Sequence, residues 1–160
     1  MDTRDSQEHI GYTIFCDDIR EEIGGKATYV GVYRSGRLIV HSAFPVALPK
    51  FGFAVNYAQK KGFFIQPKTL RVFLPGDEDD QPSIEAEFPK MDETNLPLGL
   101  PKGADVTFLV GMAHLLFAPL VIKQPGTIKV RAVRGDEMIR LGALEVLPPP
   151  EATPSEPNAT

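Results

Sequence analysis

The chain reads as an all-β protein, an antiparallel immunoglobulin-like β-sandwich of eight or nine strands with a disordered C-terminal tail. Three observations carry that reading. Fourteen glycines and 15 prolines in 160 residues leave few windows in which a helix of three turns fits. The windows between them hold short β-branched or aromatic runs bounded by turn residues. Several of those runs alternate polar with apolar, as strands with one wet face do.

Residues 1–10 are polar and are expected to be a flexible N-terminus. The folded domain is expected over 11–147, and 148–160, PPPEATPSEPNAT, as a disordered proline-rich tail with little apolar surface to bury. Strands are predicted at Tyr12–Cys16, Ala27–Tyr33, Arg37–His41, Gly52–Tyr57, Thr69–Leu74, Ser83–Phe88, Asp105–Gly111, Thr127–Val133 and Met138–Val146. In the eighth, Ile128, Val130 and Ala132 fall on one side and Lys129 and Arg131 on the other. Arg134-Gly135-Asp136-Glu137 then reads as a hairpin connection; turn chemistry, not adhesion, explains its Arg-Gly-Asp triplet. Leu70, Val72 and Leu74 alternate in the same way with Arg71 and Phe73. From Val110 to Lys123 the apolar run is nearly continuous, and period decides nothing. Pro119 argues against a helix, so a strand, a loop near His114 and a second extended segment are expected. A short helix is the alternative there and at Asp18–Ile23.

With 42% hydrophobic residues, 160 residues suffice for one core. The single cysteine, Cys16, excludes an internal disulfide and favours a reducing, cytoplasmic setting. No secretory signal begins the chain, and 106–122 is too short and too interrupted for a membrane helix, so a soluble protein is expected. The net charge of −4 hides strong asymmetry. Residues 1–22 carry −5, 23–76 carry +8 without one acid, 77–93 carry −7, 94–147 carry +2 and the tail −2. Such blocks suit an anionic partner, or two patches that meet within one fold or across a dimer.

The stretch Ile14–Tyr33 concentrates the chemistry. Its simplest reading is a strand, a turn and another strand, with Gly24 and Gly25 supplying positive φ and Asp17 or Asp18 bonding forward to backbone N–H groups. A sharper one lets Asp17 and Asp18 share a calcium ion with Asp77, Glu78, Asp79 and Asp80, although no EF-hand spacing is present. Cys16 with His41 or His114 as base would need a cleft that spacing does not provide. A buried small hydrophobe is the simpler role for Cys16. No nucleophile elbow, phosphate loop or dinucleotide fingerprint occurs, and no enzyme and no cofactor are expected. In the acid-free stretch, Lys60-Lys61-Gly62-Phe63-Phe64, with Tyr57 before and Lys68 and Arg71 after, has the ingredients of single-stranded nucleic-acid binding by residues 50–71.

Phe15-Cys16-Asp17-Asp18-Ile19-Arg20, followed by Gly25-Lys26, Gly31-Val32-Tyr33 and Leu48-Pro49-Lys50, resembles a family of small uncharacterised bacterial proteins. Its members share the run CDDIR-x-E-x-x-GK and a GxY shortly after, and some occur in phage or prophage contexts. The similarity covers most of the chain, more thinly after the first third. The family is a domain of unknown function, so the resemblance implies no reaction or cofactor. It implies instead a structural signature at Asp17, Asp18, Arg20, Gly25 and Lys26, a turn held by carboxylates and cations. The expected function is a non-enzymatic binding or assembly module with a protein partner or a second copy of itself. Lys60, Lys61, Lys68 and Arg71 would meet Asp77, Glu78, Asp79 and Asp80. Calcium binding and nucleic-acid binding are the alternatives, and no membrane association is expected.

Overall fold

A computed structural model describes residues 9–60, 66–90 and 108–151. The expected flexibility of 1–8, the disorder of 152–160, the start of the Asp105–Gly111 strand, and Lys61, Phe63 and Phe64 lie outside the described residues.

Twelve strands follow in order: β1 (His9–Cys16), β2 (Asp18–Glu22), β3 (Lys26–Val30), β4 (Arg37–Ile39), β5 (Val46–Leu48), β6 (Phe51–Lys60), β7 (Thr69–Phe73), β8 (Ile84–Glu87), β9 (Phe108–Phe117), β10 (Leu120–Ile122), β11 (Gly126–Arg134) and β12 (Glu137–Leu147). Each of the nine expected segments overlaps one of them. None of the described residues is helical, so neither alternative helix forms. The strands begin at His9, two residues before the expected domain start, and end at Leu147.

Two sheets sandwich the core. One is antiparallel, in the order β1-β6-β9; the other runs β4-β12-β11-β7-β8, antiparallel except for the β4–β12 pair. Two-stranded ladders, β2-β3 and β5-β10, complete the fold. The period-two alternation predicts the facing: Ile128, Val130 and Ala132 of β11 and Leu70 and Val72 of β7 are fully buried. Opposite them, Phe51, Phe53, Val55 and Tyr57 project inward from β6. Phe53 meets Phe15, Phe51 and Phe117 edge-on at centroid distances of 5.9, 5.1 and 6.0 Å, a favoured arrangement for aromatic quadrupoles.

At one corner the sheets touch directly. The Thr13 hydroxyl donates to the Leu141 carbonyl at 3.0 Å. There β12 bulges: Val130 faces Gly142 but Arg131 faces Arg140, so Leu141 is the extra residue. A Cβ on Gly142 would sit 3.0 Å from the Cβ of Thr13, which is why the strands can approach only at a glycine.

Three departures from expectation have physical reasons. Asp18–Glu22 is a strand, not a connection, because Ile19 is seated on Gly52, whose missing side chain leaves it room; a Cβ there would lie 2.8 Å from Ile19. The turn proper is then Ile23-Gly24-Gly25, with φ of +84° and +71° at the glycines. The loop expected near His114 is absent, since β9 runs unbroken from Phe108 to Phe117 along β6. Val46–Leu48, in none of the expected segments, pairs with Leu120–Ile122 as β5 and β10.

Candidate functional site

The β2-β3 hairpin lies across the outer face of the β1-β6-β9 sheet, burying Cys16, Ile19 and Ala54 with Ile14 and Tyr29 around them. This placement organises the opening motif. The Asp17 N–H donates to the Val30 carbonyl at 2.9 Å, and its carboxylate accepts the Tyr33 hydroxyl at 2.5 Å. Burial, and then that carboxylate, push the Tyr33 phenol well above its ordinary range. Asp18 accepts from Lys50 Nζ at 3.2 Å, Arg20 Nε at 3.4 Å and the Ile19 N–H at 3.1 Å. The hydrogen bond from Lys50 leads the causes that hold its carboxyl below the usual range. The carboxylate and cation cluster therefore includes Asp18 and Arg20, but its second cation is Lys50. Lys26 lies at the far end of the hairpin, opposite Glu22, exposed and without an ion pair among the described residues. Gly25 serves the turn.

Cys16 is fully buried, its thiol directed at the Gly52 carbonyl 3.8 Å away. Burial, then the charge of Asp17, raise its pKa, the wrong direction for a nucleophile. Neither histidine serves it. His41 is exposed beyond β4, and both ring nitrogens of His114 are engaged elsewhere: Nδ1 with Glu21 at 2.7 Å and Nε2 with the Tyr29 hydroxyl at 2.9 Å. The Tyr29 and His114 rings also meet edge-on at 5.6 Å. This acid, imidazole and phenol relay latches the hairpin to β9. Glu21 and Tyr29 stand 93 and 85 residues from His114, so only the fold brings them together.

Beyond the hairpin the same sheet face is open and apolar. Ile10 and Tyr12 of β1 and Phe108, Val110 and Met112 of β9 flank the small residues Asn56 and Ala58 of β6. Val110 is 67% exposed, Tyr12 55%, and Ile10 and Met112 50% each. Lys60 at the strand end is the one charged side chain that β1, β6 and β9 place on this face. The outer edge of β9 pairs with no strand among the described residues. Sequence reading does not separate this surface from core, because nearly continuous apolar residues in β9 mask which half is wet.

The charged segments are dispersed. Lys50 is taken by Asp18, and Lys60 and Arg71 project from the outer faces of different sheets. Arg71 pairs with Glu85 at 2.8 Å, and Lys68 is exposed ahead of β7, its N–H bonded to the Val133 carbonyl. Asp77 closes its own turn, accepting from the N–H groups of Leu74 and Ser83 and the Ser83 hydroxyl, all at 2.8 Å. Glu78 and Asp80 are exposed, and Asp79 reaches Lys129 at 3.5 Å. Among the described residues no three acidic, histidine or cysteine side chains gather as a metal site, so Asp17 and Asp18 do not converge with the 77–80 run.

No family model, curated protein or solved structure matches this chain.

Proposed function

We propose that the protein is a non-enzymatic assembly module that pairs with a second copy of itself through the edge of β9 left unpaired among the described residues and the apolar sheet face beside it. The observation that carries this reading is the ten-residue edge strand FLVGMAHLLF, which contains no Lys, Glu, Asp, Arg or Pro. Edge strands are ordinarily blunted by such residues, because their unpaired N–H and C=O groups template pairing with another chain. An antiparallel β9–β9 contact is self-complementary about a two-fold axis and brings no like charges together. It joins two three-stranded sheets into one of six and places the two apolar faces side by side. A resemblance to phage-associated bacterial proteins suits an assembly role, and a single buried thiol suits the cytoplasm. Nucleic-acid binding by 50–71 has less support, since Lys60 and Arg71 serve different faces.

Size-exclusion chromatography with light scattering tests the reading. The full chain is expected to be a dimer whose stability survives high salt, because apolar contacts and main-chain hydrogen bonds are only weakly screened. Val110→Lys and Met112→Lys, on exposed positions, convert it to a monomer with an unchanged β spectrum. A wild-type monomer at every concentration, or a dimer that dissolves in salt, overturns the sheet-edge reading.

A further inference from the structure

We infer that the outer face of the five-stranded sheet carries a binding site for a small phosphorylated ligand with an apolar ring or alkyl portion. A cavity of about 420 Å³ opens there, lined by Phe73, Asp79, Lys129, Arg131, Met138 and Arg140. That volume falls in the range of small-molecule sites.

The arginines supply the argument. Arg131 and Arg140 are direct cross-strand partners on β11 and β12, and like charges in that relation are destabilising. The bulge creates this juxtaposition. Without it Leu141 would face Arg131; the extra residue instead sends Leu141 to the core and sets Arg140 beside Arg131. Neither guanidinium has a carboxylate partner among the described residues. Arg131 is fixed in place by Nη1, which donates to the carbonyls of Val130 at 2.8 Å and Gly142 at 3.2 Å, the latter beside the bulge. Its Nε and Nη2 make no hydrogen bond among the described residues. Burial and the neighbouring charge of Arg140 both weaken its hold on its proton, a cost that a bound anion offsets. The next arginine in the row, Arg71, is already neutralised by Glu85.

Lys129 adds a third cation, contacted only at 3.5 Å by Asp79, whose side chain is 98% exposed. The cavity therefore carries three cations against one loosely held acid. A phosphate dianion matches that excess, with guanidinium forks suited to its oxygens. Phe73 and Met138 offer the remaining wall to an apolar portion.

Calorimetric titration of the full chain at about 0.15 M salt, with phenyl phosphate, inorganic phosphate and sulfate as probes, decides the matter. Phenyl phosphate is expected to bind saturably and more tightly than inorganic phosphate, and sulfate more weakly than either. Arg140→Gln, an exposed position, should weaken phenyl phosphate at least about tenfold. Asp79→Asn should tighten it severalfold by releasing Lys129, and Lys68→Gln, outside the cavity, should leave it unchanged. Arg131→Gln is the less useful variant because it also frees two backbone carbonyls. Absence of saturable binding below about 10 mM, equal binding of all three anions, or indifference to Arg140→Gln overturns the site. Each readout is independent of the oligomeric state.

Discussion

Gly31 and Asp17 compete for one space: a Cβ on Gly31 would overlap the Asp17 carboxylate that accepts the Tyr33 hydroxyl. Gly31 also holds a φ of +67°, which costs any other residue about 1–2 kcal/mol. The two penalties can be separated by comparison. Gly25, at a φ of +71°, has nothing within 4 Å of its Cβ position. Gly31→Ala should therefore lower the melting temperature clearly more than Gly25→Ala. Equal losses would mean that Asp17 moves aside freely.

Asp18 makes stability depend on acid. Its carboxyl lies below the ordinary 3.8, chiefly through Lys50, so its contribution is complete above the unfolded pKa and vanishes as pH falls through the lower folded value. Asp18→Asn should melt below wild type at neutral pH, and the gap should close as pH falls below the ordinary carboxylate range. Paired pH series of melting curves check this; a gap constant down to the lowest pH would assign the effect to shape, not charge.

Tyr29→Phe removes one hydroxyl and leaves His114 Nε2 without its partner in a half-buried position. A loss of about 1 kcal/mol is expected, concentrated in the hairpin. Amide hydrogen exchange should accelerate in β2 and β3 while β11 and β12 keep their protection. Uniform acceleration through both sheets would show that the hairpin does not open on its own.

Asp77→Ala deletes an acceptor of three hydrogen bonds in the turn between β7 and β8. Two of the donors are backbone N–H groups, so a cost of about 1–2 kcal/mol in thermal or urea unfolding is expected. A neutral outcome would mean that water replaces the carboxylate without penalty.

How much of this was legible in the sequence depends on the kind of signal. In β11, and in β7 as far as Val72, alternation identified both the strand and its inward face, although Phe73 on the outer side of β7 is buried as well. In β9 the strand was readable only as far as Gly111, a loop being expected near His114, and the facing was not readable, since apolar residues occupy both sides, one against the core and one in the open. The charged β2 strand owes its state to Ile19 docking on Gly52, a tertiary effect with no local trace. Asp18 and Arg20 carry their interaction within three residues, but the cation that completes the cluster, Lys50, is 32 positions away, and Lys26 was nearer in sequence only. The arginine pair is a consequence of a one-residue bulge, which period-two reasoning steps over.

The contact between Thr13 and the Leu141 carbonyl spans 128 residues, and it closes the corner at which the two sheets meet. Loop closure over so long a separation is entropically late, since the intervening chain must be constrained before the contact repays it. The corner is thus expected to form after the strand pairs on either side of it. On the ribosome β1 can pair with β6 as soon as Lys60 has been made, but the corner with β12 must wait for almost the whole of the chain, and until then the inward-facing Phe15, Phe53 and Val55 lack the sheet that covers them.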